Sequence, residues 1–480
     1  MVIQTTKSSY DAIVVGTGPN GLAAAIRIAQ AGRSVLVIEA ADTIGGGTRS
    51  DTATLAGFTH DICSAIHPLT FASPYLSTLP LGRYGLEWVF PAAPLAHPLD
   101  DGTAVVQERS VRATAAQFGR DATAYYALIA PVVRHWHKIM PMILAPRPRP
   151  RHPFALAQFG VRAIWPVTIL AKTLFRDEPA RAFLAGNAAH TMVPLEAPTT
   201  AAPGLVLAAL GHVTGWPFPR GGAQRIADAL AAHLRTLGGE IITGWRVEDL
   251  VELPRHRAAL FDVTPRQLVA IAGDQLPDRY QRALERFRYG PGVFKIDYAL
   301  DGPIPWTAKA CMRAGTVHLG GTLDEIAAGE RQIARGELPE QPFVLLAQQS
   351  VFDPSRAPAG KQTAWAYCHV PHGATADMTS RIEAQIERFA PGFRDRILAR
   401  AVRGPQALEA YNANYIGGDI NGGAQDMWQL YTRPVASFDP YATPAPGIYL
   451  CSSSTPPGGG VHGLCGFYAA ESALHGALRG

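Results

Sequence analysis

A glycine-rich turn between an apolar strand and a helix constrains this chain more than any other feature. Residues 11–15 (DAIVV) are apolar and β-branched, the pattern of a strand covered on both faces. Gly16-Thr17-Gly18-Pro19-Asn20-Gly21 follows and matches GxGxxG. Residues 22–31 (LAAAIRIAQA) then predict a helix of strong formers stopped by Gly32, and 34–38 (SVLVI) a second buried strand ending at Glu39. Gly16 permits the tight turn, Gly18 lets backbone approach a pyrophosphate, and Gly21 lets helix and strand pack closely. The helix start at Pro19 and Asn20 turns unpaired N–H groups and the positive end of its dipole toward phosphate oxygens. Glu39 stands 18 residues beyond Gly21, where a carboxylate accepts hydrogen bonds from ribose hydroxyls. GxGxxG alone is common in turns, but here every piece falls in register within 29 residues. That predicts a dinucleotide site.

The turn does not separate FAD from NAD, and the flanking segments lean toward FAD. Residues 40–49 (AADTIGGGTR) follow the acidic strand end with three glycines and an arginine. Ala40, Gly46 and Gly47 are expected to pass close to a long cofactor, and Arg49 to balance pyrophosphate charge; a plain surface loop is the alternative. Near the other end, residues 447–470 (GIYLCSSSTPPGGGVHGLCGFYAA) predict a strand, a Gly/Pro loop and a helix that continues through Leu474. That arrangement cradles anions and suits the N1/C2=O edge of an isoalloxazine, which places Ser452, Ser453, Gly460, Val461 and His462 beside it. The alternative is a glycine-rich crossover that closes the sheet.

At this point the sequence resembles the bacterial phytoene desaturase-like flavoproteins, within the broader amine-oxidase-like FAD superfamily. The resemblance runs through residues 16–32, the VLVIEA strand end, residues 57–61 (GFTHD), residues 218–239 (FPRGGAQRIADALAAHLRTLGG), residues 289–306, residues 411–423 (YNANYIGGDINGG) and PPGGGVHGLCG. It implies FAD and places the backbone at Val247 against adenine; no cysteine or histidine sits in a flavin-linkage motif, so non-covalent binding is expected. Three departures stand out. Gly47 occupies a position where many members carry arginine, which leaves Arg49 as the displaced candidate. Ser452 replaces a usual glycine. The link from Val247 to the next strand is short, where many relatives have an extra hairpin.

The expected fold is α/β, a Rossmann-type FAD-binding domain interwoven with an α+β substrate domain on a mixed sheet. The boundaries drawn are 1–104, 216–293 and 433–480 for the FAD domain, and 105–215 (mostly helical) and 294–432 for the substrate domain. Phe294, Ile296, Tyr298 and Leu300 alternate as in a half-buried strand. Ile226, Leu230, Leu234 and Leu237 trace one helix face.

The remaining signals are mostly exclusions. A net charge of +4 without a dense basic stripe argues against a nucleic-acid partner. Five scattered cysteines without CxxC suggest neither a disulfide framework nor zinc, and no metal site is expected; His369/His372 and His60/Asp61/Cys63 lack a further ligand. The other GxGxxG spacing, residues 458–463, belongs to the C-terminal loop assigned to the same cofactor, so no separate NAD(P) domain is expected and oxygen, a quinone or a similar acceptor is expected to reoxidise the flavin. The expected location is cytoplasmic, with peripheral contact to a membrane an open alternative through 141–175, where RPRPRHP precedes an apolar stretch. The simpler expectation there is a polar proline loop between two core helices. Oligomeric state is not legible.

The expected reaction is hydride removal from an apolar small molecule, isoprenoid- or lipid-like. The alternatives are an amine oxidase, with Phe467-Tyr468 or Tyr415 flanking the flavin, an isomerase without net redox, and a non-catalytic flavin-binding partner protein. His67 and His462 are the candidate bases, His67 set against a structural histidine hydrogen-bonded to backbone and His462 against a backbone contact with the flavin.

Overall fold

The computed structural model describes residues 6–146 and 151–480. It is built around two sheets. Five parallel strands make the first, in the order Ile448–Leu450, Ala258–Phe261, Ala12–Val15, Val35–Ile38 and Glu240–Ile242. The three inner strands are buried at every position, as their apolar runs require of a sheet covered on both faces. Helices Pro19–Gln30, Gln224–Thr236 and Leu464–His475 pack together on one side of it. Ile226, Leu230 and Leu234 are buried there, while Leu237 at the helix end is half out. The sheet draws on three distant stretches of chain, and its mouth is closed by loops from all three.

The second sheet has seven strands, in the order Ile397–Arg403, Gly292–Leu300, Gln362–Val370, Val344–Ala347, Ala314–Leu319, Ala93–Pro98 and Ala104–Val106. All neighbours are antiparallel except Ala314–Leu319 against Ala93–Pro98. The chain therefore enters this sheet at Ala93, ahead of the boundary drawn at 104. A layer of helices, including Glu178–Ala188 and Ala201–Val213, covers one face and buries Phe183, Leu205 and Ala208.

One strand departs from the sequence reading. Gly292–Leu300 is buried at all nine positions rather than on one face. Lys295 and Asp297 stand on the same face and pair with each other, and Arg403 adds a second contact to Asp297 at 3.1 Å. Mutual neutralisation lets a polar-looking face go inside.

The segment 153–175 forms two helices that each bury one face. Pro153–Ala163 and Val167–Leu174 meet at a 93° bend, and each turns only part of its surface inward through Ala155, Phe159, Val167 and Leu170. Those inward faces, with Ala163, Ala171 and Phe175, join the core beneath the helical layer, and the outward faces stay exposed. Residues 147–150 of the basic proline run lie outside the described residues. Among the described residues no single helix is long and apolar enough to cross a membrane.

Candidate functional site

The glycine turn is held from below by Asp262, the residue after strand Ala258–Phe261. Gly16 has φ +107°, and a methyl on Gly18 would lie 2.6 Å from Asp262 Oδ2. A methyl on Gly21 would overlap the Gly16 carbonyl, and the Gly21 N–H donates to Asp262 Oδ2 at 3.0 Å. Only glycine fits at these points. Helix Pro19–Gln30 begins with no side-chain cap, and Leu22 N–H, bonded to Gly18 O at 3.0 Å, is the first to bond back into the helix. Asn20 Oδ1 is buried without a partner. An uncapped helix start over a glycine floor suits a phosphate.

Glu39 joins the first two loops. Its carboxylate accepts the Thr17 N–H at 2.9 Å, the Thr17 hydroxyl and the Ala41 N–H at 3.0 Å, while Gly45 N–H donates to Thr17 Oγ1 at 3.2 Å. Arg49 is fixed in the glycine loop by Gly46 O at 3.0 Å and Tyr411 O at 2.9 Å, and lies 4.1 Å from the centre of the Tyr411 ring. The departure at Gly47 has a local reason, since any side chain there would collide with the Tyr415 hydroxyl.

At the far end, Val461 has φ +54°, an uncommon conformation for a β-branched residue. Hydrogen bonds from Thr70 to Val461 O and from Ser73 to His462 O hold it. Asn20 Nδ2 reaches Ser453 Oγ at 3.3 Å and so ties the two ends of the loop system together.

One cavity of about 500 Å³ runs along all of this. Of the residues expected to bind cofactor, Gly16, Gly18, Pro19, Asn20, Glu39, Ala40, Gly46, Gly47, Arg49, Val247, Ser452, Ser453, Gly460 and Val461 line it. Gly21 and His462 do not. The cavity continues into a chamber between the seven-stranded sheet and the helical layer. There Ile66, His190, Leu207, Trp216, Thr316, Leu345, Trp365 and Tyr367 form the walls.

Comparison with known proteins agrees with this geometry. The NAD(P)-binding Rossmann-like domain family matches residues 14–79. Pyridine nucleotide-disulfide oxidoreductase domain-containing protein 2 of Rattus norvegicus is 27% identical over 97% of this chain and 93% of its own length. Phytoene desaturase (neurosporene-forming) of Rhodobacter capsulatus is 24% identical over 96% and 93%. Among solved structures, an oxidoreductase from Methanosarcina mazei superposes with a TM-score of 0.64 at 15% identity, covering 97% of this chain and 99% of that one. Putrescine oxidase bound to putrescine gives 0.58 at 18%, with the same coverage. The chain carries a NAD(P)-binding Rossmann-like domain at its glycine turn. Along nearly its whole length the chain is similar to a phytoene desaturase, and its likeness to the amine oxidases is one of fold.

Neither candidate base lines the cavity. His67 is buried at the start of helix Pro68–Phe71, with Nδ1 3.4 Å from Thr70 Oγ1, so it braces the hydroxyl that holds Val461. His462 accepts the Leu464 N–H on Nδ1 at 3.1 Å and so caps helix Leu464–His475 with its own ring. Burial lowers both to about 4, which leaves them neutral. They serve as structural histidines. His369 pairs with Glu330 at 2.7 Å and His372 with Gly290 O at 2.9 Å, so the HVPH pair holds two different partners. All five cysteines are free and buried.

Of the proposed aromatic flank, Tyr415 lines the cavity, whereas Phe467 and Tyr468 pack against the core of the parallel sheet. Sequence reasoning missed Asp262, His190, Trp216, Trp365 and Tyr367. The last two carried a usable signal, since Trp365, Tyr367 and His369 alternate along QTAWAYCHV with the period of a strand.

Proposed function

We propose that this protein is an FAD-dependent dehydrogenase that oxidises an apolar small molecule. The observation that carries the reading is the continuity of one cavity from the glycine cradle to an apolar chamber. Glu39 and Val247 would meet the adenosine, the helix start at Pro19 and Asn20 together with Arg49 the pyrophosphate, and Ser452, Ser453, Gly460 and Val461 the far end. The extension of the cavity past Gly47 to Val461 favours FAD over the shorter NAD. When bound, FAD supplies the hydride acceptor.

The chain's own part is to hold and orient. Ile66, Leu207, Leu345 and Trp365 offer apolar walls that exclude water. The titratable side chains of the chamber are kept neutral. Burial lowers His190 to about 3, and it raises Tyr367, Tyr415 and Cys63. Glu39 and Asp262 are the only carboxylates lining the cavity among the described residues, and both sit at the nucleotide end. A cationic amine would find no counter-charge in the chamber, which favours desaturation over amine oxidation. The open chamber also speaks against a non-catalytic flavin-binding role. Flavin absorbance released into the supernatant by acid precipitation is the expected result, and a colourless protein that takes up no added FAD overturns the reading.

We also propose that the bent helix pair meets an anionic lipid surface, from which an apolar substrate would come. Phe154, Val161 and Ile164 are 90%, 65% and 61% exposed, and Trp165 and Ile169 are exposed beside them. His135, Lys138, Arg151 and His152 surround a cleft that also contacts Phe154. Apolar anchors bordered by cations are the features of an interfacial helix.

A further inference from the structure

We propose that His190 is the specificity-determining residue of the chamber, a fixed hydrogen-bond donor that selects a substrate bearing a neutral acceptor oxygen such as a ketone or ester carbonyl. The inference rests on the chamber being the substrate site and names the polar end of what it takes.

His190 lies half-buried on the cavity wall, with its Nε2 3.0 Å from His318 Nε2. Its ring stands edge-on to Trp216 at 5.8 Å. Its other nitrogen, Nδ1, has no hydrogen-bond partner among the described residues and is not among the fully buried orphan atoms, so it faces open space. Which role that atom plays follows from the residues behind it.

His97 Nε2 lies 2.8 Å from Gly321 O, and a carbonyl only accepts, so the proton of His97 is on Nε2 and its Nδ1 is bare. His318 is fully buried and its Nδ1 also has no partner. A buried N–H left unpaired is rarer than an unpaired acceptor, so His318 keeps its proton on Nε2 and donates it to His190. His190 Nε2 is then the acceptor, and its proton sits on Nδ1, toward the chamber. Gly186 makes room for this stack, since a methyl there would lie 2.9 Å from His318 Nδ1 and 3.2 Å from His97 Nδ1. All three rings are driven below their ordinary range, first by burial, and stay neutral. A neutral donor whose tautomer is set from behind favours a carbonyl over a hydrocarbon, and the chamber offers a carboxylate no free cation beside it.

The test is binding to the purified holoprotein, read by the fluorescence of Trp216 and Trp365. The probes are octan-2-one and its isostere 2-methyloct-1-ene, in which carbon replaces the carbonyl oxygen. His190→Phe is expected to weaken octan-2-one about tenfold and to leave the alkene unchanged. His190→Gln, which retains an N–H donor, is expected to keep most of the ketone affinity. His318→Phe, which frees the His190 tautomer, is expected to lower ketone affinity selectively. Equal loss of both probes in His190→Phe, an unchanged ketone affinity, or no binding of either probe overturns the proposal. A protein that binds no FAD yet shows the ketone-specific loss sinks the flavin reading and keeps this one; a flavin-loaded protein without that loss does the reverse.

Discussion

Arg356 Nη1 donates to Asp61 Oδ2 at 2.7 Å, and both side chains are sealed from water. The same carboxylate accepts the Ala223 N–H and the Ser50 hydroxyl, each at 2.7 Å, and Arg356 Nη2 donates to Pro219 O at 2.9 Å. One ion pair thus joins three segments that the sequence presents separately, residues 50–61, 219–224 and 349–356. Arg356→Met should cost about 3–5 kcal/mol, because it leaves a buried carboxylate uncompensated. Burial pushes Asp61 up, but the Arg356 charge and the hydrogen bonds outweigh it and hold the carboxyl below its ordinary range. Its folded value being depressed, the stabilisation is present above the unfolded value near 4 and fades as pH falls through the lower folded one. Urea melts of the wild type and Arg356→Met should therefore differ widely at pH 7 and converge in acid; equal midpoints at pH 7 would count against the junction.

Asp262 behaves in the opposite sense. Burial raises its carboxyl to about 8, with Glu39 adding to the effect, against the Gly21 N–H that favours the ion. The unfolded chain gives up this proton near pH 4 and the folded one near pH 8, so this group lowers stability as pH rises between those values, by up to about 1.4 kcal/mol per unit. Asp262→Asn keeps the shape and removes the titration. We expect it to melt at a higher temperature than wild type at pH 8, with the gap closing toward pH 4. A gap independent of pH would show that Asp262 is ionised in the folded protein.

His67 and His462 are expected to affect stability rather than turnover. Their folded values near 4 lie below the unfolded value near 6.5, so the unfolded chain takes up protons first as the solution is acidified. Stability should fall from pH 6.5 to 4, and His67→Gln should flatten part of that slope. If instead the variant removes an ionisation from the pH profile of flavin reduction by substrate, while its melting temperature is unchanged, the structural assignment of His67 is wrong.

The βαβ unit was legible because its signals are local. A strand, a glycine turn, a capless helix and Glu39 lie within one short stretch, and each has a backbone reason to be what it is. The chamber was not legible, because Ile66, His190, Leu207, Thr316, Leu345 and Trp365 are scattered along the chain and meet only once the seven-stranded sheet forms. Lys295 and Asp297 misled for a different reason. Alternating charges normally mark a solvent face, and only their pairing across two residues on one strand makes burial tolerable. His67 and His462 drew attention as titratable groups near glycine loops, whereas their backbone hydrogen bonds depend on contacts that spacing does not reveal.

The helix pair 153–174 provides the last prediction. Phe154 and Trp165 lie on a surface that a soluble partner-free protein has no reason to keep apolar, with Lys138 and Arg151 close to Phe154. Each large side chain moved out of water contributes on the order of 1.5–3 kcal/mol, and each cation near an anionic surface adds about 1 kcal/mol. Phe154→Ser with Trp165→Ser should therefore abolish sedimentation with vesicles of mixed phosphatidylcholine and phosphatidylglycerol, while the flavin remains bound. Lys138→Gln with Arg151→Gln should shift binding to lower salt, because charge attraction is screened and apolar insertion is not. Retention of the double-serine variant on the vesicles would place the contact elsewhere. Failure of the wild type to bind them would return this face to solvent and leave the chamber to be filled from water.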